Sequence, residues 1–216
     1  MLISHLHKFI TIDIPKTGTR SLRETLCPLG VIDIVGEPST SAEFYQHGTV
    51  IDAKQQFEKN DWCWDDYFKF TIVRDPWSRY FSFFKYFKNY ADMFLNQDKS
   101  ITWNTAEINQ GKYCVSLFSN NDEQTVLKNI INNNPSQDLF YCNENDEVIV
   151  DYIARFENIE SEFSFLCDHV SLSHLILRHD NKSKIVIDIH DVYNQQLIDL
   201  VSKKEKRTIE LKNYNI

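Results

Sequence analysis

The sequence predicts an α/β fold, and two junctions between a strand, a loop and a helix are the main evidence. At the first junction the apolar residues of Phe9–Ile14 favour a β-strand, which Pro15 ends. A helix is then expected from about Thr19 to Cys27. A strand that passes through a short polar loop into a helix is the opening half of a βαβ unit.

The second junction has the same plan and is the clearest in the chain. The run Phe68–Val73 reads as a buried strand, and Arg74-Asp75-Pro76 follows it directly. Proline suits the first turn of a helix, which is expected to extend to about Tyr90 and to be apolar around most of its surface. Two such junctions in order indicate strands that alternate with helices.

Further elements follow from apolar spacing. Val31–Val35 reads as a strand or loop, and residues 148–156 as one or two buried strands. The basic run Lys203–Arg207 is most simply a solvated helix face. Helices are predicted over the ranges Thr49–Glu58, with Thr49 as N-cap, Ala106–Phe118, Asp122–Asn133, Asn158–Val170 and Val192–Lys212.

Composition limits the classes of protein that fit. The 216 residues suit a single domain over residues 1–216, and 42% apolar with 25% charged residues is typical of a folded globular protein. The formal net charge of −8 argues against broad nucleic-acid binding, which needs a basic face. An anionic ligand would therefore have to be met by a local concentration of positive charge.

Cysteine and hydropathy patterns bear on location and metal binding. The five cysteines are odd in number and include no Cys-x-x-Cys pair, which favours a reducing compartment, so we expect a cytoplasmic protein. No apolar run is long enough for a membrane span, and no His-Glu-x-x-His motif supports a metal site.

The first loop, Pro15–Leu22, has the features of a phosphate site. Lys16 supplies a point charge, small residues let backbone N–H groups converge, and the following helix presents its positive end. A Walker A loop needs its lysine after the second glycine, whereas Lys16 precedes Gly18, so an ordinary ATP or GTP loop is disfavoured. An exposed turn without a ligand remains the alternative from these residues alone.

At the second junction, Arg74 ends the strand and Ser82 lies two turns into the helix. One anion near the helix start would be within reach of both side chains. Alternatively, Arg74 pairs with an acidic neighbour and Ser82 faces water. Arg79 is either a further ligand contact or a buried partner of another element.

Together the two junctions resemble those of the sulfotransferases that use 3′-phosphoadenosine 5′-phosphosulfate (PAPS), above all the carbohydrate-type branch with Pro-Lys-Thr-Gly-Thr-x-Ser-Leu loops. The resemblance implies a P-loop-like three-layer fold with a central, mainly parallel sheet flanked by helices. Arg74 and the serine eight residues later would hold the 3′-phosphate. The 5′-phosphosulfate would be bound by the first loop, through Lys16, Thr17, Gly18, Thr19, Arg20 and Ser21.

The resemblance continues more weakly towards the C-terminus. Ile153–Asn158 is similar to the family's Ile-Gly-Arg-Phe-Glu-Asn segment, with Ala154 in place of glycine. Lys182 and Ser183 are similar to a late basic loop and are expected donor contacts, and Tyr214 matches a terminal aromatic residue. Arg20 stands where a small residue is common, which affects how the acceptor would pass over the loop.

The same comparison selects His47 as the candidate base. Small members of the family often carry a histidine before the helix that precedes the Phe-Lys-Phe strand, followed two residues later by threonine, as with Thr49 here. An imidazole with a pKa near neutrality suits removal of a proton from a hydroxyl. Glu43 and Glu58 are the competing bases.

The function that the resemblance implies is in-line transfer of a sulfuryl group from PAPS to a hydroxyl of a saccharide or glycoconjugate. The products would be PAP and a sulfate ester, and the reaction would require no metal. Two alternatives stay open at this point: a non-catalytic protein that binds PAP or another nucleotide, and a P-loop nucleotide kinase. Trp64 is among the aromatic residues that would stack on a sugar, although packing is the commoner role.

Overall fold

The computed structural model describes residues 1–29, 32–33, 47–96, 104–178 and 187–215. The strands are β1 (Leu2–Ser4), β2 (Phe9–Ile12), β3 (Ile32–Asp33), β4 (Phe68–Val73) and β5 (Tyr152–Arg155). The helices are α1 (Thr19–Leu26), α2 (Val50–Lys59), α3 (Pro76–Leu95), α4 (Thr105–Ser119), α5 (Glu123–Asn133), α6 (Asp138–Tyr141), α7 (Ile159–His169), α8 (Ile189–Val192), α9 (Gln195–Lys204) and α10 (Lys206–Lys212).

The described strands form one sheet in the order β3-β1-β2-β4-β5. β4 pairs in parallel with both β2 and β5, whereas β1 is antiparallel to both of its neighbours, β2 and β3. β3 therefore points in the same direction as β2, and β1 alone among these strands is reversed. The predicted α/β fold with a mainly parallel sheet is confirmed.

By their internal contacts the residues group into two compact units. The first comprises Met1–Asp75, Ser136–Asn181 and Arg207–Asn215, and it contains the sheet with α1, α2, α6 and α7. The second comprises Pro76–Pro135, Lys182–Lys206 and Ile216, and it contains α3, α4, α5, α8 and α9. A single domain over residues 1–216 stays a prediction.

The core of the first unit lies on one face of its sheet. Alternate strand residues point to the same face, and there they meet α1 and α7. The residues of the other face are also buried, as expected for parallel strands. The first face contributes Phe9, Phe70, Ile72 and Ala154, which pack with Leu22, Leu26, Phe163 and Leu166. The second contributes Ile10, Ile12, Thr71, Val73 and Ile153.

Most predicted elements are confirmed within a few residues. The strand Phe68–Val73 has the predicted bounds, and α3 begins at Pro76 but extends further, to Leu95. Thr49 caps α2 as predicted. Its hydroxyl accepts the Asp52 N–H at 3.2 Å, while the Asp52 carboxylate accepts the Thr49 N–H at 2.6 Å. This capping box fixes where α2 begins, three residues after His47.

The prediction of one helix over Val192–Lys212 is wrong. Asn194 caps α9, and the chain leaves the helix again at Glu205 before α10 begins. Glu205 is fully buried and its Oε1 accepts hydrogen bonds from Arg79 Nη1 and the Tyr80 hydroxyl, both at 3.0 Å. A carboxylate buried in this way must be paired, so the run Lys203–Arg207 is not simply a solvated face.

Candidate active site

The first loop joins β2 to α1 in a strained conformation. Lys16 has φ +71° and Gly18, the N-cap of α1, has φ +83°. Close packing also favours glycine at position 18, because an added Cβ would lie 3.0 Å from atoms of both Phe156 and Ile159. A lysine held in the left-handed region is the kind of local strain that occurs at functional sites.

Backbone amides at the N-terminus of α1 make this loop suitable for binding an anion. The first-turn N–H groups of a helix have no acceptor within the helix, and here they belong to residues from Thr19 onwards. No acidic residue occupies the first turn of α1, so the positive end of the helix is not neutralised there. The phosphate site stays a prediction, which the free positive end of α1 favours.

Two of the side chains in this loop are already engaged. The Thr17 hydroxyl donates to the Ile14 carbonyl at 2.8 Å and the residue is 1% exposed, so this hydroxyl holds the loop together. The phosphate contact of Thr17 stays a prediction, and it would be made by the backbone N–H because the hydroxyl is already used. Arg20 Nε donates to Glu24 at 2.7 Å on the exposed side of α1.

Arg74 lies against the first loop. Its Nη1 donates to the Lys16 carbonyl at 3.3 Å, and its guanidinium carbon lies 4.5 Å from the centroid of the Phe156 ring. The side-chain amide of Gln137, which is fully buried, accepts from the Arg74 N–H and donates to the Arg74 carbonyl, both at 2.9 Å. Arg74 is thus held at its backbone and at its side chain.

The remaining predicted anion contacts have different positions. Ser82 lies in α3, in the second unit, so its pairing with Arg74 stays a prediction. Lys182 and Ser183 lie outside the described residues. Arg79 is fully buried and pairs with Glu205 at 3.0 Å, so of its two alternatives the structure supports the buried pair.

His47 is brought to the first loop, although it is distant in sequence. Its Nδ1 lies 2.8 Å from the backbone carbonyl oxygen of Asp13, three residues before Lys16. A carbonyl oxygen can only accept, so Nδ1 carries the proton and Nε2 of the neutral ring has a free lone pair. This tautomer is the one that a general base needs.

The Asp13 side chain binds two positively charged groups near His47. Its buried carboxylate accepts from Arg23 Nη2 at 2.7 Å, from the Met1 α-amino group at 2.8 Å and from the Thr11 hydroxyl at 2.9 Å. Burial alone would raise the pKa of the Asp13 carboxyl, but these positive charges and hydrogen bonds hold the pKa below its usual value. Asp13 therefore stays ionised near neutral pH.

The pKa of His47 is also lowered. Burial is the main cause, and it outweighs the hydrogen bond to the Asp13 carbonyl and the attraction of the Asp13 carboxylate, both of which raise the pKa. The positive charges of Arg23 and the Met1 α-amino group lower it further. The imidazole is therefore neutral at pH 7 and able to accept a proton.

An open cleft of about 560 Å³ lies beside α2, away from these loops. Trp64 and Asp65 line it and precede β4, so they lie towards the end of that strand opposite to Arg74. The Trp64 ring packs edge-on against Phe57, with centroids 5.3 Å apart, in agreement with the packing role. Glu58, a competing base, also lines this cleft, near the C-terminal end of α2 and far along the helix from His47. Glu43 lies outside the described residues.

A family model corresponds to nearly the whole chain. The model is that of the sulfotransferase family, in its type 2 branch, and it matches residues 1–212. The chain belongs to the sulfotransferase family. This sulfotransferase is therefore a transferase of sulfur-containing groups, and the family generally uses PAPS as donor. No curated protein and no solved structure matches the chain at a significant level.

Two further features of the described part of this sulfotransferase concern membrane-spanning helices and clusters of metal-binding side chains. Within the described ranges no helix has the length and apolar character to cross a membrane. Among the same residues no group of three His, Cys, Asp or Glu side chains is arranged to hold a metal ion.

Sequence reasoning did not single out Asp13, Gln137 or Phe156. Asp13 and Gln137 carry no motif of their own, and they act on His47 and Arg74 from positions more than thirty residues away. Phe156 belonged to a segment whose resemblance to the family was visible, but its contacts with both loops were not. The sequence offers one signal for Asp13: an acidic residue stands directly after the apolar strand β2, between Ile12 and Ile14.

Proposed function

We propose that this sulfotransferase transfers the sulfuryl group of PAPS to a hydroxyl group of a saccharide. The observation that carries the proposal is the hydrogen bond from Arg74 Nη1 to the Lys16 carbonyl. In PAPS one ribose carries both the 5′-phosphosulfate and the 3′-phosphate, so the groups that bind these two anions must be neighbours. The loop of Lys16 and the residue Arg74 are neighbours of this kind.

The proposed mechanism is an in-line displacement. His47 Nε2 accepts the proton of the acceptor hydroxyl as the oxygen of that hydroxyl forms a bond to sulfur. The bond between sulfur and the bridging oxygen of the 5′-phosphate breaks, and its electron pair remains on that oxygen. The Lys16 ammonium and the N–H groups of residues 17–21 stabilise the negative charge that develops there. The products are a sulfate ester and PAP.

Arg74 is the residue proposed to select the donor. Its guanidinium lies over the Phe156 ring, and Arg binds phosphate through two parallel N–H donors. We assign the 3′-phosphate, which ATP lacks, to Arg74, with Ser82, Lys182 and Ser183 as further contacts on the basis of the family resemblance. Lys16 and the amides of α1 supply the positive charge that stabilises the negative charge of the transition state, so the scheme assigns no step to a metal.

The saccharide acceptor is proposed from the resemblance to the carbohydrate-type branch. The Trp64 cleft carries no part of the proposal, because it lies away from the loops. We also propose a cytoplasmic location, which five free thiols favour.

Replacing Arg74 with alanine is expected to weaken PAP binding about 10-fold to 100-fold, because a charge-assisted bidentate contact is lost. Arg74→Lys is expected to recover only part of this affinity, since lysine retains the charge but not the planar fork. Calorimetric titration with PAP and with ATP measures both effects. Unchanged PAP affinity in Arg74→Ala, or a wild-type protein that prefers ATP, would contradict the assignment and favour the nucleotide-kinase alternative.

The pH dependence of kcat/KM is expected to follow the ionisation of His47. Because burial lowers the pKa of His47, the neutral base is present at pH 7 and is lost only as the pH falls through a value below about 6.5. Activity should therefore be flat near neutrality and decline on the acid side. A rate profile from about pH 5 to pH 8 at saturating PAPS tests this expectation. An acid limb centred above pH 7 would exclude His47 as the base.

A further inference from the structure

The geometry points to Phe156 as a positioning residue that holds the two donor-binding loops at a fixed separation. These are the first loop, Pro15–Leu22, and the second loop, Arg74–Pro76, which follows β4. The inference rests on the proposed function, because that function assigns the two anions of PAPS to these loops. Phe156 follows β5 directly and lies in a 3-10 turn that leads into α7. It is half-buried, so one part of the ring meets the protein while another part remains accessible.

The first contact of Phe156 is with the loop that carries Lys16. The ring atoms Cε2 and Cδ2 lie 3.0 and 3.3 Å from where a Gly18 Cβ would stand, so the ring packs directly against the backbone of Gly18. Gly18 is the N-cap of α1 and adopts φ +83°. This ring, together with Ile159 Cδ1 at 3.0 Å from the same point, therefore supports the α1 N-terminus and the amides proposed to bind the 5′-phosphate.

The second contact is with Arg74. The guanidinium carbon lies 4.5 Å from the centroid of the Phe156 ring, within the range of a cation–π interaction. The same guanidinium donates to the Lys16 carbonyl. The Phe156 ring thus contacts Gly18 of the first loop and Arg74 of the second loop. Arg74 also joins the two loops directly, by its hydrogen bond to the Lys16 carbonyl.

The neighbouring Glu157 fixes the second loop independently of the ring. Glu157 Oε1 accepts the Asp75 N–H at 2.7 Å, and Oε2 accepts the Tyr214 hydroxyl at 2.8 Å. Tyr214 is buried, so it gives this carboxylate a fixed partner. The turn that begins at Phe156 is therefore hydrogen-bonded both to the residue that follows Arg74 and to the buried Tyr214, which makes it a firm support for the ring.

These contacts predict a particular defect when the ring is removed. In Phe156→Leu the support of Arg74 and of Gly18 is lost together, while Lys16 and His47 retain their side chains. We expect the Kd for PAP to rise about tenfold and the discrimination between PAP and 5′-AMP, which lacks the 3′-phosphate, to fall by a similar factor. At saturating PAPS, kcat should remain within about threefold of the wild type, and the acceptor KM should not change. Phe156→Tyr, which keeps an aromatic face, should restore the affinity.

A matched control is available in the same part of the fold. Phe163 is a buried phenylalanine of α7, and it belongs to the core cluster of the first unit together with Leu22 and Leu26 of α1. Phe163→Leu should lower the thermal stability without changing the ratio of the Kd values for PAP and 5′-AMP. If Phe156→Leu and Phe163→Leu lose PAP affinity equally and keep the same ratio, Phe156 is an ordinary core residue and the inference is wrong.

Hydrogen–deuterium exchange without any ligand separates this inference from the proposed donor. Phe156→Leu should accelerate exchange in both of the segments 13–22 and 74–80, whereas Phe163→Leu should not accelerate them selectively. This result would support the positioning role even if the wild type failed to bind PAP, which would overturn only the donor assignment. Unchanged exchange in either segment of Phe156→Leu would overturn the inference.

Discussion

Replacing Lys16 with alanine is expected to lower kcat about 10²-fold to 10³-fold while the Kd for PAP changes by no more than about threefold. Lys16 is proposed to stabilise the bridging oxygen, whose charge develops mainly as the bond to sulfur breaks. PAP already carries the phosphate charge, and we propose that the α1 amides and Arg74 hold it. Single-turnover kinetics with PAPS, together with titration of PAP, measure the two quantities separately.

Two further variants make the Lys16 result specific. Lys16→Gln removes the charge but keeps most of the side-chain length, so it should behave like Lys16→Ala. Lys59→Ala removes an exposed lysine at the C-terminal end of α2 and should leave kcat unchanged. If Lys16→Ala lost PAP affinity and kept its kcat, the lysine would be a ground-state binding residue and the proposed role would be wrong.

Replacing His47 with asparagine is expected to lower kcat about 10²-fold to 10⁴-fold without loss of PAP affinity. The asparagine amide can still donate to the Asp13 carbonyl, but it offers no basic nitrogen in place of Nε2. The acid limb of the pH profile should disappear along with the activity that depends on it. Steady-state rates across the pH range, with PAP titration as a check on the donor site, test both statements.

His174→Asn is the matched control for this variant, because His174 is exposed and lies after α7, outside the proposed site. It should retain full activity. Wild-type turnover in His47→Asn would exclude His47 as the base. Loss of activity in Glu58→Gln, with His47→Asn active, would instead assign the base to the other end of α2.

Local signals in the sequence predict the elements that carry the site. Pro15, Pro76 and Thr49 mark the ends of a strand and the starts of two helices, and each acts through its own backbone or its near neighbours. The position of Lys16 before Gly18 distinguishes the first loop from a Walker A loop, and that distinction needs only the order of residues. The strand Phe68–Val73 was therefore predicted with its bounds.

Long-range partners were not predictable in the same way. Glu205 pairs with Arg79 and Tyr80 across more than a hundred residues of sequence, and α9 ends at this residue although apolar spacing alone would continue the helix. Asp13 reaches His47 through a backbone carbonyl, which every residue possesses, so no side-chain motif could reveal it. The spacing of residues along a chain identifies candidates, and tertiary packing decides which of them meet.

The central claim is that this protein moves a sulfuryl group from PAPS to a saccharide hydroxyl. Incubating it with PAPS that carries radiolabelled sulfur and a panel of saccharides, then separating the products, tests that claim most directly. The account predicts labelled sulfate ester on at least one saccharide, PAP in equal amount, and a product yield at least about 10²-fold lower with Lys16→Ala or His47→Asn under the same conditions. PAP binding without labelled ester on any hydroxyl acceptor would contradict it and would indicate a non-catalytic PAP-binding protein.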